Sequence, residues 1–225
     1  MKTANAQKKG AQFTKFAREI QTAAKLGGGD PQFNSRLRMA IDAAKKASCP
    51  NDTIDRAIKK GTGHLEGGQI DELVYEGYGP HSVGVIVECL TDNKHRTAPE
   101  IRLIFKNHEG SLGETGSVAW MFKKVSEIQG SKEGSFDLEE EAIEAGADDV
   151  FQVGDITFFL GAPEQLDSIR TQLQNRGWKL TGAKLGYTAN NDTELSETQR
   201  KEVIEFLQSL EEHDDVQRVF STLGA

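Results

Sequence analysis

The chain has 225 residues, 36% hydrophobic and 28% charged, with a formal net charge of −8 and two cysteines. No apolar run approaches the roughly 20 residues that cross a bilayer, and Met1–Gln12 lacks the apolar core of a signal peptide, so a cytoplasmic location is expected. Cys49 and Cys89 form neither a disulfide framework nor a zinc motif, and length allows at least one good core.

The average hides a split. Met1–Gly63 holds thirteen Lys/Arg against five Asp/Glu, a net of +8, whereas His64–Ala225 holds fourteen against thirty, a net of −16. A basic module on an acidic body neutralises phosphates locally, whatever the charge elsewhere.

The basic third reads as three helices. The first is expected over Ala11–Leu26, with Phe13, Phe16, Ile20 and Ala24 on one face and Lys15, Arg18, Thr22 and Lys25 on the opposite one. Gly27-Gly28-Gly29 stops it and Asp30-Pro31 turns the chain. The second runs over Asn34–Ala47, with Leu37, Ile41 and Ala44 inward and Arg38 and Lys45 flanking Asp42. The third follows Cys49-Pro50, with Asn51 as N-cap. Ile54, Ala57 and Ile58 face inward, while Arg56, Lys59 and Lys60 crowd its last turn, where cations also suit the helix dipole.

Gly61–Gly68 reads as a hinge, and extended patterns follow. Val83–Leu90 is expected as a buried strand, Thr97–His108 as a helix, and Ser117–Phe122 with Val125–Ile128 as paired strands. An αββαβ run comes next: an acidic helix over Asp137–Ala145, a hairpin of Val150–Val153 and Ile156–Leu160, a helix over Pro163–Asn175 and a strand over Lys179–Leu185. The helix Ser196–Leu210, opened by a Ser196/Gln199 capping box, and the strand Val216–Leu223 close the chain. The expected class is α+β: an N-terminal three-helix domain (1–72), then two ferredoxin-like α/β sandwich domains. The third (131–189) is inserted into the second (73–130 plus 190–225).

Several stretches, in order, carry a family resemblance. They are Lys25-Leu26-Gly27-Gly28-Gly29-Asp30-Pro31, Asn34 with Arg36-Leu37-Arg38, Asp55-Arg56-Ala57-Ile58-Lys59-Lys60-Gly61 and Glu76-Gly77-Tyr78-Gly79-Pro80. Leu90-Thr91-Asp92-Asn93 with Arg96-Thr97, Glu109-Gly110 leading to Gly113 and Gly116-Ser117-Val118-Ala119, and Asp214-Asp215-Val216-Gln217 complete them. Together they resemble the YebC/PmpR family over nearly the whole chain, most weakly across about 130–187. The resemblance implies a helical domain plus two α/β domains, and a role as a probable DNA-binding transcriptional regulator or as a translational activator on ribosomal or messenger RNA. Relatives usually open with a basic Gly-His-Ser-Lys-Trp leader. Here Met1 precedes Lys2-Thr3-Ala4-Asn5-Ala6-Gln7-Lys8-Lys9, so any phosphate affinity due to that leader is expected to be lower or differently distributed.

The candidate nucleic-acid contacts are Lys8, Lys9, Lys15, Arg18, Lys25, Arg36, Arg38, Lys45, Arg56, Lys59 and Lys60. They suit phosphates more than base edges, since nothing marks a recognition helix. Tyr78, Asn93 and Arg96 form a candidate junction surface, where aromatics beside Arg stack on bases or pack between domains. Gly110, Gly113 and Gly116 precede a strand and make neither a dinucleotide fingerprint nor a P-loop. Cys89 sits in an apolar strand and the histidines are scattered, so no catalytic constellation, metal site or cofactor is expected. Expected partners are DNA or RNA, including the ribosome, and no membrane; a protein–protein adaptor is the alternative. The sequence leaves the choice between monomer and weak dimer open.

Overall fold

The computed structural model describes residues 2–224, with side chains from 9 onward. In chain order the helices are α1 (Lys2–Gly27), α2 (Ser35–Lys46), α3 (Asn51–Gly61), α4 (Lys94–Asn107), α5 (Leu138–Ala145), α6 (Leu166–Asn175) and α7 (Glu197–Glu211). The strands are β1 (Asp71–Tyr78), β2 (Gly84–Thr91), β3 (Ser111–Leu112), β4 (Phe122–Ser131), β5 (Asp149–Val153), β6 (Ile156–Gly161), β7 (Lys179–Ala189) and β8 (Val216–Ser221). They divide into two compact units, Met1–Phe122 with Ala189–Ala225, and Lys123–Thr188.

In the first unit the apolar stripes of α1, α2 and α3 meet in one core of Ile20, Ala23, Ala24, Leu37, Ile41, Ala44, Ile54 and Ala57. Complete burial of Ile20 and Leu37 contributes about 1.5–3 kcal/mol each. Small residues set the close crossing of α3 on α1: a Cβ on Gly61 would lie 2.4 Å from the Gln21 carbonyl oxygen. Asn34 caps α2 by accepting from the Leu37 N–H at 3.0 Å. Its amide donates to the Ala23 and Gly28 carbonyls at 2.8 Å each, which ties the α1–α2 turn to both helices. Asn51 is not the cap of α3; Pro50 holds that position without a side-chain bond, and Asn51 begins the helix.

The second core of this unit lies under an antiparallel sheet ordered β3-β1-β2-β8. Alternate residues of β2 (Val85, Val87 and Cys89) face Ile101 and Phe105 of α4 and Val203, Phe206 and Leu210 of α7. Phe105 and Phe206 meet edge to face at 5.0 Å between centroids. The Asn93 cap and the reciprocal Ser196/Gln199 box fix the starts of α4 and α7. β8 lies antiparallel to β2, with Val87 opposite Val219 and Val85 opposite Ser221.

Two strand expectations change. Ser117–Phe122 is not a strand but leads into a 3₁₀ turn at Ala119–Met121. Val125–Ile128 lies within β4, which pairs with β6 in the other unit, Ile128 opposite Phe159. β4 therefore supplies the strand that the αββαβ run lacks. The second unit is a complete β4-α5-β5-β6-α6-β7 arrangement, ordered β5-β6-β4-β7, the ferredoxin-like connectivity. The first unit fills its own sheet with β1, a strand masked in the sequence by Asp71, Glu72, Glu76 and Gly77. The core of the second unit gathers Ile128, Phe159, Ile169, Leu173 and Trp178. Its acidic helix is not wholly solvated, because Glu141 is buried and receives Lys132 at 2.8 Å, Arg176 at 3.1 Å and the Trp178 indole N–H at 2.7 Å.

Candidate nucleic-acid interface

A helix with apolar residues on one face normally turns its opposite face to water. In α1 much of that opposite face is covered too. Thr22 is buried, and Lys15 and Arg18 reach the end of α7 and the turn before β8. The Lys15 ammonium donates to the Glu211 carbonyl at 2.5 Å. Arg18 Nη1 donates to the Asp214 carbonyl at 2.7 Å and pairs with Asp215 Oδ1 at 2.5 Å. Arg36 on α2 pairs with Glu19 at 2.8 Å and with Glu72 of β1 at 3.3 Å. These three candidate cations serve contacts within the chain.

Asp215 is the hub of that junction. It is fully buried, with the Thr97 hydroxyl at 2.6 Å, the Thr91 hydroxyl at 3.2 Å and Arg96 at 3.0 Å. Burial alone would raise its carboxyl; the Thr97 hydroxyl, Arg96 and Arg18 outweigh burial and hold it below the usual range. The Asp215 N–H donates to His213 Nδ1, which leaves Nε2–H to face Glu100 at 3.1 Å. Glu100, His213 and Asp215 lie close enough to present ligands to a metal. Two guanidinium groups already hold the Asp215 oxygens, so the donor set suits arginine better than a metal ion.

The junction candidates have structural tasks. Asn93 caps α4, Arg96 bridges Asp92 and Asp215, and the Tyr78 hydroxyl donates to the Ser117 carbonyl at 3.1 Å. The glycine-spaced loop is organised by a carboxylate of the chain itself. Glu76 is buried and accepts from the backbone N–H groups of Gly116, Val118 and Ala119 at 2.9–3.0 Å. Gly110 must be glycine, since a Cβ there would lie 2.6 Å from the Tyr78 carbonyl oxygen. The two glycine motifs are thus two sides of one contact, and these backbone donors are already engaged.

The remaining candidates lie at the surface. Lys9, Lys25, Arg38, Lys45, Arg56, Lys59 and Lys60 are exposed, as is Lys46, which the sequence reading passed over; the Lys8 side chain lies outside the described residues. Arg56 is paired with Asp52 one turn earlier on α3, at 2.9 Å, and Arg38 Nη1 donates to the Pro31 carbonyl at 3.3 Å. The end of α1, the start of α2 and the end of α3 converge, because Asn34 bonds to Ala23 and Gly28 while a Cβ on Gly29 would lie 2.7 Å from Thr62. Lys25, Arg38, Lys59 and Lys60 therefore share one end of the bundle. Arg38 and Lys45, with Asp42 between them, line a hollow of about 200 Å³ that Pro31, Gln32 and Ile41 complete. At the same end Leu26 is 67% and Phe33 87% exposed, two apolar residues absent from the sequence-based candidates.

A basic helical module followed by two α/β sandwiches defines the class of this protein. The TACO1/YebC N-terminal domain model matches residues 1–64, and that of the TACO1/YebC second and third domain matches 70–223. The chain belongs to the TACO1/YebC family. It is 62% identical over 223 residues to a probable transcriptional regulatory protein of Bdellovibrio bacteriovorus, covering 99% of this chain and 96% of the relative. A second such protein, from Thermoanaerobacter pseudethanolicus, is 46% identical over 217 residues, covering 95% and 88%. The crystal structure of a conserved hypothetical protein from Aquifex aeolicus, 40% identical, superposes with a TM-score of 0.86 over 96% of this chain and 90% of that one. Among the described residues, no helix is long and apolar enough to cross a membrane.

Proposed function

We propose that this chain is a non-enzymatic regulator of gene expression that grips nucleic-acid phosphates with the open cations of its helical domain. The observation that carries this reading is the gathering of Lys25, Arg38, Lys59 and Lys60 at one end of the bundle, none of them in an ion pair among the described residues. Lys45 and Lys46 extend the surface along α2. The names of the relatives favour DNA as the target, and the surface suits phosphates of DNA or RNA alike. The other chemistry-bearing groups are engaged inside the fold. Burial pushes the Cys89 thiol up to about 12, and Glu76 and Asp215 are saturated by donors.

The test is anisotropy of labelled duplex DNA and of RNA over a salt series, with wild type and the combined Lys25→Glu, Lys45→Glu, Lys59→Glu and Lys60→Glu variant. Each lost phosphate contact on duplex DNA reduces the salt slope by about 0.9. A variant with unchanged affinity and slope overturns the proposal. Tighter binding to RNA than to DNA moves the regulator from transcription to translation.

A further inference from the structure

The α1–α2 turn is the place where the fold spends order on an exposed aromatic. Asp30 Oδ1 accepts from the Gln32 N–H at 2.8 Å, and the Phe33 N–H donates to the Asp30 carbonyl at 3.2 Å. The next residue, Asn34, is buried and bonded to both helices. Gly27 leaves room for that amide, since a Cβ would lie 2.6 Å from it, and Gly28 takes a φ of +84°. Phe33 is thus held from both sides on a fixed backbone, yet its ring packs under nothing.

A lone exposed apolar residue needs no explanation. This one directly follows Pro31 and Gln32, which line a hollow with Arg38, Ile41, Asp42 and Lys45, at the end of the bundle where Lys25, Lys59 and Lys60 gather. At about 200 Å³ the hollow falls below the roughly 300 Å³ of a small-molecule pocket, so it suits one base or one phosphate more than a whole cofactor. An exposed aromatic on a surface rich in cations is the arrangement that holds single strands: the ring stacks on a base and the cations follow the backbone. In a duplex the bases are stacked on each other and no face is offered to the ring.

We infer that Phe33 is a stacking platform for an unpaired nucleotide, with Arg38 and Lys45 receiving its neighbouring phosphates. This rests on the phosphate-binding reading above and deepens it. The site takes a single-stranded stretch of DNA or RNA, read through its π face and without base-edge selection.

The experiment compares wild type, Phe33→Ala, Phe33→Leu and Phe33→Trp on 12-nucleotide single-stranded DNA, the same single-stranded RNA and a matched duplex. Loss of one stacked base corresponds to about a 5- to 150-fold weakening, expected for Phe33→Ala and Phe33→Leu on single strands and absent on the duplex. Phe33→Trp keeps single-strand affinity, and its added indole fluorescence is quenched on binding. The ratio of the DNA and RNA effects identifies the source of the strand. Equal affinity of Phe33→Ala and wild type for single strands overturns the inference, as does a wild type that binds no single strand. If the four-lysine variant still loses binding in those cases, the phosphate-binding reading stands alone. A change of solution mass on Phe33→Ala with nucleotide affinity intact also overturns the inference, marking a self-association contact instead.

Discussion

Arg18 of α1 and Asp215, the residue before β8, form a nearly solvent-free ion pair, 2.5 Å apart with side chains 12% and 1% exposed. It joins the helical domain to the sheet at a carboxylate that four side chains address. Removing one partner of such a pair strands the other charge, which costs about 3–5 kcal/mol. Asp215→Asn is expected to lower stability by that amount in urea unfolding and to open the Gly61–Gly68 connection to proteolysis. Arg18→Ala is expected to destabilise less, because Arg96 remains on Asp215, and to leave salt-sensitive nucleic-acid binding intact.

Glu76 makes a second, independent prediction. Its carboxylate holds three backbone N–H groups of the loop after β3. Glu76→Gln keeps the size but turns an NH₂ group toward donors. The expected cost is about 2 kcal/mol, with faster cleavage within 110–119 in limited proteolysis. Cleavage no faster than in wild type would show that the loop does not depend on this carboxylate.

The acidic helix predicts a pH response. Arg176, with Lys132 and Trp178, holds the Glu141 carboxyl down at about 2 against the burial that would raise it. A carboxylate depressed on folding contributes its stability fully above its unfolded pKa, near 4.3, and loses it as pH falls through the folded value. Glu141→Gln should therefore be less stable than wild type by about 2 kcal/mol at pH 7, discounted for the partly exposed Lys132 and Arg176. That gap should close between about pH 4 and pH 2, as followed by urea midpoints.

The two cysteines predict a silent thiol assay. Cys89 is 2% exposed and its thiol is pushed up to about 12, chiefly by burial and then by Asp215. At pH 8 only about one such thiol in ten thousand is ionised, and Cys49 is likewise buried and raised. Both should react with an aromatic disulfide reagent only at the rate of unfolding. A Cys89 that reacts within seconds in native buffer would contradict the packing of β2.

The charge split was legible in the sequence because it needs only counting. The helices were legible because apolar residues such as Leu37, Ile41 and Ala44 recur at helical spacing, and the last because Ser196 and Gln199 mark its start. Which cations stay open was not legible. The partners of Arg18 and Lys15 lie near the far end of the chain, and periodicity sees only neighbours. β1 was missed because its carboxylates and glycine break the alternation; Glu76 is buried for the loop it holds, not for the core. β4 was divided because Lys123-Lys124 looked like a turn, though both lysines are exposed residues of one continuous strand. Phe33 was overlooked between a proline turn and an N-cap, where an aromatic reads as loop until its exposure is seen.

The pairing of β2 with β8 has a consequence for synthesis. Every element of the helical domain, and β2 itself, leaves the ribosome before the second unit has been translated. Until β8 arrives, one edge of β2 has no strand beside it and Arg18 has no Asp215 to meet. Long-range pairing of this kind slows folding and leaves an edge open to wrong partners. The ferredoxin-like unit, continuous in sequence, completes its own sheet first, and the earlier-made half of the molecule closes last.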